Sequence, residues 1–186
     1  MPNIEPNPSS TSPILPPALV PEGSNWYAVH TTARHEKRVA AHFQEKRICT
    51  FLPLLQQVHR WSDRRSIVEV PLFSCYAFVR VVQDVEERLK VLRTPGVLGF
   101  VGSERQGTPI PGEQIESLRK AISQNVPCLP HPFLASGTRV RIRGGALDGV
   151  QGILLRQGGD HSLVVSVELL HRSVSIRVQG YDIELV

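Results

Sequence analysis

The sequence predicts an α+β domain followed by a small all-β barrel, and three observations support this fold class. Residues 24–123 run in the order strand, helix, hairpin strands, helix, strand, which is what a sheet with helices packed on it requires. Residues 136–186 contain five short β-branched or leucine-rich runs separated by glycine turns, a pattern typical of a small barrel. The proline-containing stretch 124–135 lies between them and predicts a semi-rigid linker.

The elements of the first domain follow from local composition. The run Trp26-Tyr27-Ala28-Val29 is apolar and suits a buried strand. Thr32 can cap a helix over 33–47 that carries Val39, Ala40 and Phe43 on one face. The other predicted elements are the hairpin arms 57–61 and 66–70, a strand at 76–81, a short helix opened by Asp84, a strand at 97–101 and a helix at 112–123.

The second domain reads as strands throughout. The predicted strands lie at 138–143, 150–155, 163–169, 173–178 and 183–185. Val-rich and Ile-rich runs such as 163–167 and 174–178 favour strands over helices because β-branched side chains are stiff in a helix. We therefore expect 136–186 to be a permanent β barrel.

The first 23 residues differ in composition from the rest of the chain. Seven of the 15 prolines lie within the first 21 residues, among Ser, Thr and Asn. Such a segment cannot bury enough apolar surface to offset the entropy of ordering, so we expect residues 1–23 to be a disordered tail. The excess positive charge lies in residues 24–135, which carry 15 Lys and Arg against 10 Asp and Glu, a net charge of +5. A polyanion or an acidic protein surface could bind there.

Composition argues against several classes of function. No apolar run approaches the roughly 20 residues that a membrane-spanning helix needs. Cys49, Cys75 and Cys128 show no CxxC or Cys/His metal spacing, so we expect reduced thiols in a cytoplasmic protein. No phosphate-binding glycine loop, nucleophile elbow or spaced carboxylate pair is present. We therefore expect no catalytic residue, no metal and no cofactor. We also expect the chain to act as a monomer without membrane contact.

Four motifs in order resemble a known family. They are the run at 26–29, the run Pro71-Leu72-Phe73-Ser74-Cys75-Tyr76-Ala77-Phe78-Val79, the run from Thr94 to Gly102, and 137–152 with its two glycine turns. The first three are similar to the N-terminal (NGN) domain of NusG-like factors and the fourth to a KOW motif. The resemblance implies an RRM/ferredoxin-like NGN domain at 24–123, an antiparallel sheet with flanking helices, linked to an SH3-like KOW barrel at 136–186.

The same resemblance implies a function without covalent chemistry. NusG-like factors bind the clamp helices of RNA polymerase through an apolar patch and suppress pausing or termination. The family places clamp-helix contacts at Phe73, Tyr76 and Phe78, and specialised members use the position of His30. Strand alternation puts Tyr76 and Phe78 on one face, where they either form an exposed patch or fill the core.

Basic residues on the first helix and the hairpin are candidates for contact with non-template or upstream DNA. Arg34, Arg38 and His42 recur at i, i+4 and i+8 and so would form one stripe, with Lys37 beside it. The hairpin tip adds Arg60, Trp61, Arg64 and Arg65, where an aromatic among arginines suits stacking on nucleic acid. The alternative for both groups is an ordinary solvated surface.

In the barrel, Leu170, His171 and Arg172 match the loop with which NusG proteins dock a ribosomal protein or a termination factor. That loop usually begins with Phe, so Leu170 keeps its apolar character with less area.

The tail, the basic helix and the Pro-Leu-Phe-x-x-Tyr-x-Phe form resemble the specialised RfaH/UpxY antiterminators more than general NusG. The polar motif with which RfaH touches the opposite side of the polymerase cleft is absent at Glu87-Arg88-Leu89. A ribosome-associated or other KOW-type RNA-binding protein is the alternative function.

Overall fold

The computed structural model describes residues 21–60, 65–102, 106–124, 126, 128–157 and 160–186. The strands and helices of the first domain are β1 (Asn25–Thr31), α1 (Glu36–Glu45), β2 (Cys49–Phe51), β3 (Leu54–Arg60), β4 (Arg65–Pro71), β5 (Tyr76–Val81), α2 (Val85–Leu92), β6 (Val97–Phe100), β7 (Pro109–Ile110) and α3 (Gly112–Ser123). Those of the second are β8 (Cys128–His131), β9 (Arg139–Arg143), β10 (Gln151–Gln157), β11 (Asp160–Val167), a 3-10 turn (Glu168–Leu170), β12 (Arg172–Arg177) and β13 (Asp182–Leu185).

The N-terminal sheet has the order β2-β5-β1-β6, and β7 also pairs with β1. Strand β1 is apolar on both faces because both faces are covered. Tyr27 and Val29 pack in one core cluster with the α1 residues Val39, Ala40 and Phe43. Trp26 and Ala28 belong to the cluster that holds the α3 residues Ile115, Leu118 and Ala121.

Local sequence signals correctly predicted two of the three helices of the first domain. The Asp84 side chain accepts a hydrogen bond from the Glu86 N–H (3.1 Å) and caps α2, and α3 spans the predicted 112–123. The predicted start of α1 is wrong. Helix α1 begins at Glu36 after His35, which makes no side-chain cap, while the Thr32 carbonyl accepts the His35 N–H in a preceding turn.

Strands β3 and β4 form the expected hairpin, which is a separate two-stranded sheet. Its pairing begins with Leu54 opposite Pro71 and ends with Arg60 opposite Arg65. The chain returns from this hairpin through a turn at Phe73–Tyr76, in which the Tyr76 N–H donates to the Phe73 carbonyl (3.2 Å). Strand β5 then lies beside β1, with His30 opposite Tyr76. The hairpin and the turn therefore lead into β5 beside the C-terminal end of β1.

The second domain is a six-stranded sheet of order β13-β9-β10-β11-β12-β8. Its strand β8 comes from the segment predicted as a linker. This strand pairs with β12, with Cys128 opposite Ile176 and His131 opposite Ser173. The interior holds residues from several strands, among them Val140, Ile142, Leu163, Val165 and Ile176. The predicted combination of an α+β domain and a β barrel is confirmed.

Helix α3 joins the two domains. Gln114, Ser117 and Lys120, spaced three residues apart, form one stripe that meets barrel backbone. The Glu168 N–H donates to Gln114 Oε1 (3.2 Å), the Gln151 N–H donates to Ser117 Oγ (3.1 Å), and Lys120 Nζ donates to the Asp148 carbonyl. No helix in the described part of the chain is long and apolar enough to cross a membrane.

Candidate functional site

Two of the aromatic residues predicted to contact a partner lie in the core. Phe73 is 4% exposed and Phe78 is 0% exposed. Phe78 stacks on Phe51, with ring centroids 6.0 Å apart, and meets Phe73 edge-on at 6.1 Å. Of the two alternatives, the structure shows the core for Phe78, and Phe73 is buried with it in the turn before β5. Neither forms an exposed patch, because both rings pack in the cluster that includes α3.

The other two predicted contact residues form a surface pair at the end of β1. His30 is exposed and Tyr76 is half-buried. They are cross-strand neighbours, and their ring centroids lie 5.4 Å apart at an interplanar angle of 33°. Cross-strand ring contacts of this kind hold both side chains in place. The pair offers two adjacent aromatic rings that carry polar atoms, and such side chains suit protein docking.

The residue before Tyr76 has an unusual backbone conformation. Cys75 is left-handed, with φ +67°, which costs a non-glycine residue roughly 1–2 kcal/mol. Both of its backbone groups are bound. Its N–H donates to Glu36 Oε1 (2.8 Å) and its carbonyl accepts the Thr31 N–H (2.8 Å). Because a hydrogen bond to a charged group stabilises by about 1.5–3 kcal/mol, the Glu36 carboxylate can offset the cost of the turn.

Glu36 is a buried carboxylate, 4% exposed, in the first turn of α1. A helix N-terminus favours negative charge, and the Cys75 N–H supplies a donor. Neither the contact of Glu36 nor the left-handed conformation of Cys75 was predicted from the sequence. A signal did exist in the acidic residue at the start of a helix, but its partner lies 39 residues away, so no local pattern connects them.

The predicted basic stripe is only partly helical. Arg38 and His42 lie on α1, whereas Arg34 precedes the helix and has φ +63°. The helical stripe i, i+4, i+8 is therefore wrong at Arg34, although Arg34, Lys37 and Arg38 are all exposed. Lys37 Nζ lies 3.7 Å from Glu69 of the hairpin. This ion pair is partly exposed, so it adds little stability, but it joins α1 to β4.

The remaining members of the predicted basic group are at the hairpin tip. Arg60 pairs with Arg65 across β3 and β4, while their side chains, like Trp61 and Arg64 as a whole, lie outside the described residues. On α1 itself, the His42 ring lies 3.3 Å from the Glu45 carboxylate. The described cations Arg34, Lys37 and Arg38 thus lie around the N-terminal end of α1.

The barrel loop Leu170–Arg172 differs from the prediction at its first residue. Leu170 is 9% exposed and belongs to the core cluster, so the expectation that it provides apolar docking area is wrong. His171 and Arg172 are exposed. His171 is left-handed (φ +49°) and its ring meets that of Phe133 edge-on at 4.9 Å. Phe133 was not predicted at this site, since it comes from the segment interpreted as a linker.

Residues 87–89, where the polar motif is absent, make contacts within the first domain. The Arg88 guanidinium lies 4.5 Å from the ring centroid of Phe100, a cation–π contact. Glu87 accepts a hydrogen bond from Lys90 Nζ at 2.6 Å. Arg88 therefore fixes α2 against β6, and Leu89 is exposed beside it.

The three cysteines are free thiols. Burial raises the pKa of Cys49 and raises the pKa of Cys128 to about 11, because a thiolate loses solvation in the core. These two thiols are therefore packed in the core, and their raised pKa values lower the fraction of thiolate. Among the described residues no group of three His, Cys, Asp or Glu side chains could hold a metal ion.

Comparison with known proteins places this fold. A family model described as "Transcription termination factor nusG" matches residues 24–119, just over half of the 186 residues. The transcription termination/antitermination protein NusG of Bacillus subtilis is 31% identical over 109 residues, 52% of this chain and 62% of that protein. The protein of the same name from Lactococcus lactis is 24% identical over 187 residues, 89% of this chain and 95% of its own.

Among the solved structures, one that matches this chain across both domains is a NusG structure. It is described as "Domain interaction in Thermotoga maritima NusG", and it is 19% identical to this chain. The match covers 88% of this chain and 97% of that one, with a TM-score of 0.52. At this identity the likeness concerns the fold alone, and it agrees with an α+β domain followed by a barrel.

Proposed function

Because the chain belongs to the NusG family of non-enzymatic transcription factors, we propose that it is an elongation and antitermination factor that binds RNA polymerase. In this proposal the N-terminal domain binds the clamp helices of the polymerase and suppresses pausing or termination. The barrel recruits a second protein. The observation that carries the polymerase contact is the exposed His30–Tyr76 ring pair at the end of β1.

The chemistry of this pair supports docking against a helix. Aromatic side chains supply large contact area at low conformational cost, and they are enriched at the energetic centres of interfaces. Phe73 and Phe78 support the pair from within the core, since Phe73 begins the turn that ends at Tyr76. On this proposal His30 and Tyr76 make the polymerase contact, and Phe73 and Phe78, which are buried, support the surface from within the core.

We also propose that the cations around the start of α1 contact DNA. Arg34, Lys37 and Arg38 are exposed, and Lys37 is held near β4 by Glu69. Phosphate contacts by arginine and lysine position a protein on nucleic acid without reading its sequence. Contact with the non-template or upstream strand would then depend strongly on salt concentration. The hairpin residues Arg60, Trp61, Arg64 and Arg65 extend this proposal.

For the barrel we propose that His171 and Arg172 dock the second protein, with Phe133 supplying the aromatic surface that Leu170 does not. A ribosomal protein and a termination factor are the two candidate partners. We further propose a specialised paralogue of the RfaH/UpxY type over a general factor. The support is the Pro-Leu-Phe-x-x-Tyr-x-Phe form of residues 71–78 and the proline-rich residues 1–23.

The test is direct binding of the purified full chain to core RNA polymerase. The variant His30→Ala/Tyr76→Ala removes the surface pair, and we expect its affinity to fall at least about tenfold, the equivalent of about 1.4 kcal/mol. The matched control is His171→Ala/Arg172→Ala, which removes an exposed pair from the barrel and should bind as tightly as wild type. Circular dichroism and thermal unfolding establish that both variants are folded.

Each result separates the proposal from its alternatives. Equal loss of binding in both variants would place the polymerase contact across both domains. Unchanged binding by a folded His30→Ala/Tyr76→Ala variant would remove this pair from the interface. If the wild type bound RNA but not polymerase, the chain would be a KOW-type RNA-binding protein instead.

A further inference from the structure

We propose that Glu36 is a positioning residue for polymerase binding, which holds the Phe73–Tyr76 turn in the conformation that presents the His30–Tyr76 pair. This inference rests on the proposed function, because it assigns a role at the same surface. Glu36 does not reach that surface itself. It is 4% exposed and acts through the backbone of Cys75.

The geometry connects the carboxylate to the ring pair in two steps. Glu36 Oε1 accepts the Cys75 N–H at 2.8 Å, and Cys75 is bonded covalently to Tyr76. On its other side the Cys75 carbonyl accepts the Thr31 N–H at 2.8 Å, and Thr31 follows His30. The left-handed residue therefore links the segment that carries Tyr76 to the residue that follows His30, at the end of the β1–β5 ladder that pairs the two rings.

The conformation of Cys75 is not one that its side chain favours. At φ +67° a glycine would be the default residue, since the β-carbon of any other residue meets the backbone there. The turn is closed locally by one hydrogen bond, from the Tyr76 N–H to the Phe73 carbonyl at 3.2 Å. Without the Glu36 acceptor the Cys75 N–H loses its partner, although the bond from the Thr31 N–H to the Cys75 carbonyl remains. Cys75 would then relax toward negative φ and carry Tyr76 with it.

Glu36 is suited to this task by its position. As the first residue of α1 it lies on a rigid element that is fixed by Val39, Ala40 and Phe43 in the core. No lysine, arginine or histidine nitrogen of the described side chains lies within 4.0 Å of its carboxylate in an ion pair. Among the described contacts, its buried oxygen therefore serves the Cys75 amide.

The experiment compares four variants of the full chain in binding to core RNA polymerase. Glu36→Ala removes the acceptor and Glu36→Asp withdraws it by one methylene, and we expect each to weaken binding about tenfold. Glu36→Gln keeps an oxygen acceptor without the charge and should restore binding to within about twofold of wild type. Glu45→Ala, an exposed glutamate at the end of the same helix, is the matched control and should leave binding unchanged.

A second readout reports on the turn without polymerase. Amide hydrogen exchange of Cys75, followed by NMR, should be slow in wild type and Glu36→Gln, and about tenfold faster in Glu36→Ala and Glu36→Asp. In a Cys75→Gly background the left-handed conformation needs no support. Glu36→Ala should then weaken polymerase binding much less than it does beside Cys75, which a double-mutant cycle measures.

The outcomes distinguish this role from the proposed function. If wild type does not bind polymerase, the proposed function fails and the role of Glu36 fails with it. If wild type binds and Glu36→Ala binds equally well while the Cys75 amide exchanges rapidly, only the positioning role is overturned. Loss of binding in Glu36→Gln equal to that in Glu36→Ala would also overturn it. If Glu36→Ala does not fold, Glu36→Asp and the Cys75→Gly background decide the question.

Discussion

Two segments of this protein, the Phe73–Tyr76 turn and the Leu170–Arg172 loop, stabilise a left-handed residue in different ways. Each places a non-glycine residue in the left-handed conformation, Cys75 in one and His171 in the other. Cys75 is held by the carboxylate of a helix 39 residues distant in sequence. His171 is held by a local bond from its own N–H to the Glu168 carbonyl (3.0 Å) and by the Phe133 ring.

The difference shows how the backbone of each proposed docking surface is held. The first turn depends on tertiary structure, so its aromatic pair is presented only when α1 and the sheet are assembled. The second loop carries its own 3-10 turn, and the left-handed His171 is closed by a local bond to Glu168. Distant contacts are added at the Phe133 ring and at Glu168, whose N–H donates to Gln114 Oε1. Mutations that separate local from distant support therefore test this comparison.

The largest expected effect is at Phe78, the buried aromatic beside the first turn. Phe78→Ala removes a fully buried ring that packs on Phe51 and Phe73 and should lower the free energy of unfolding by about 3–5 kcal/mol. Urea denaturation measures this loss. Tyr76→Ala, in the same strand but half-buried, should cost about 1 kcal/mol. Equal costs would contradict the division between a supporting core and a docking surface.

Thiol reactivity separates the first turn from the packed cysteines. The thiolate is the reactive form, and a pKa of about 11 for Cys128 against an ordinary 9.0 leaves roughly 100-fold less thiolate at pH 8. A disulfide reagent at pH 8 should therefore label Cys75 first, and Cys49 and Cys128 after unfolding. Mass spectrometry of the labelled peptides gives the order, and early labelling of Cys128 would contradict its burial.

The same pKa shift gives a pH dependence with a definite sign. The pKa of Cys128 is higher in the folded chain than its ordinary value, so the stability that this thiol contributes is complete below about pH 9. That contribution is lost as the pH rises from 9 towards 11. A Cys128→Ala variant measured across this range should show a smaller decline than wild type.

A moderate effect is expected at Leu170, the first residue of the barrel loop. Because Leu170 belongs to the core cluster, Leu170→Ala should cost about 2–3 kcal/mol of stability. Arg172→Ala, two residues away and exposed, should stay within about 0.5 kcal/mol. If Leu170→Ala proved neutral in stability but impaired binding of a partner, the leucine would be a docking residue after all.

The smallest effect concerns the left-handed residue of the second loop. His171→Ala keeps a β-carbon at φ +49° and loses the ring, whereas His171→Gly relieves the backbone. The alanine variant should therefore be less stable than the glycine variant by about 1 kcal/mol. At Arg172, which begins strand β12, the glycine variant should instead be less stable than the alanine variant. Thermal unfolding of the four variants checks both orders.

The sequence predicted the elements better than it predicted their exposure. Strand β1, helix α3 and the capping role of Asp84 were read from local composition and agree with the structure. Phe78 could not be assigned, because strand alternation gives a face but not what covers it. Helix α3 packs in one core cluster with Phe78 and with barrel residues. This position depends on tertiary packing, which the periodicity of the sequence does not contain.

Strand β8 is a second case in which local composition did not predict the structure. Its prolines predicted a linker, yet Cys128–His131 pairs with β12 at an edge of the sheet. Proline is tolerated on edge strands, where a missing N–H leaves no ladder bond unmade. A single sequence gives no information on whether such a segment finds an edge to pair with.

The sequence by itself determined the α+β domain, the barrel and the resemblance to NusG, because these depend on local periodicity, turns and short motifs. Tertiary structure alone decided which aromatics are exposed, that Glu36 meets Cys75, and that α3 holds the barrel through Gln114, Ser117 and Lys120. These contacts join residues that are distant along the chain. Their energies depend on burial and alignment, which exist only once the sheet and the helices have packed.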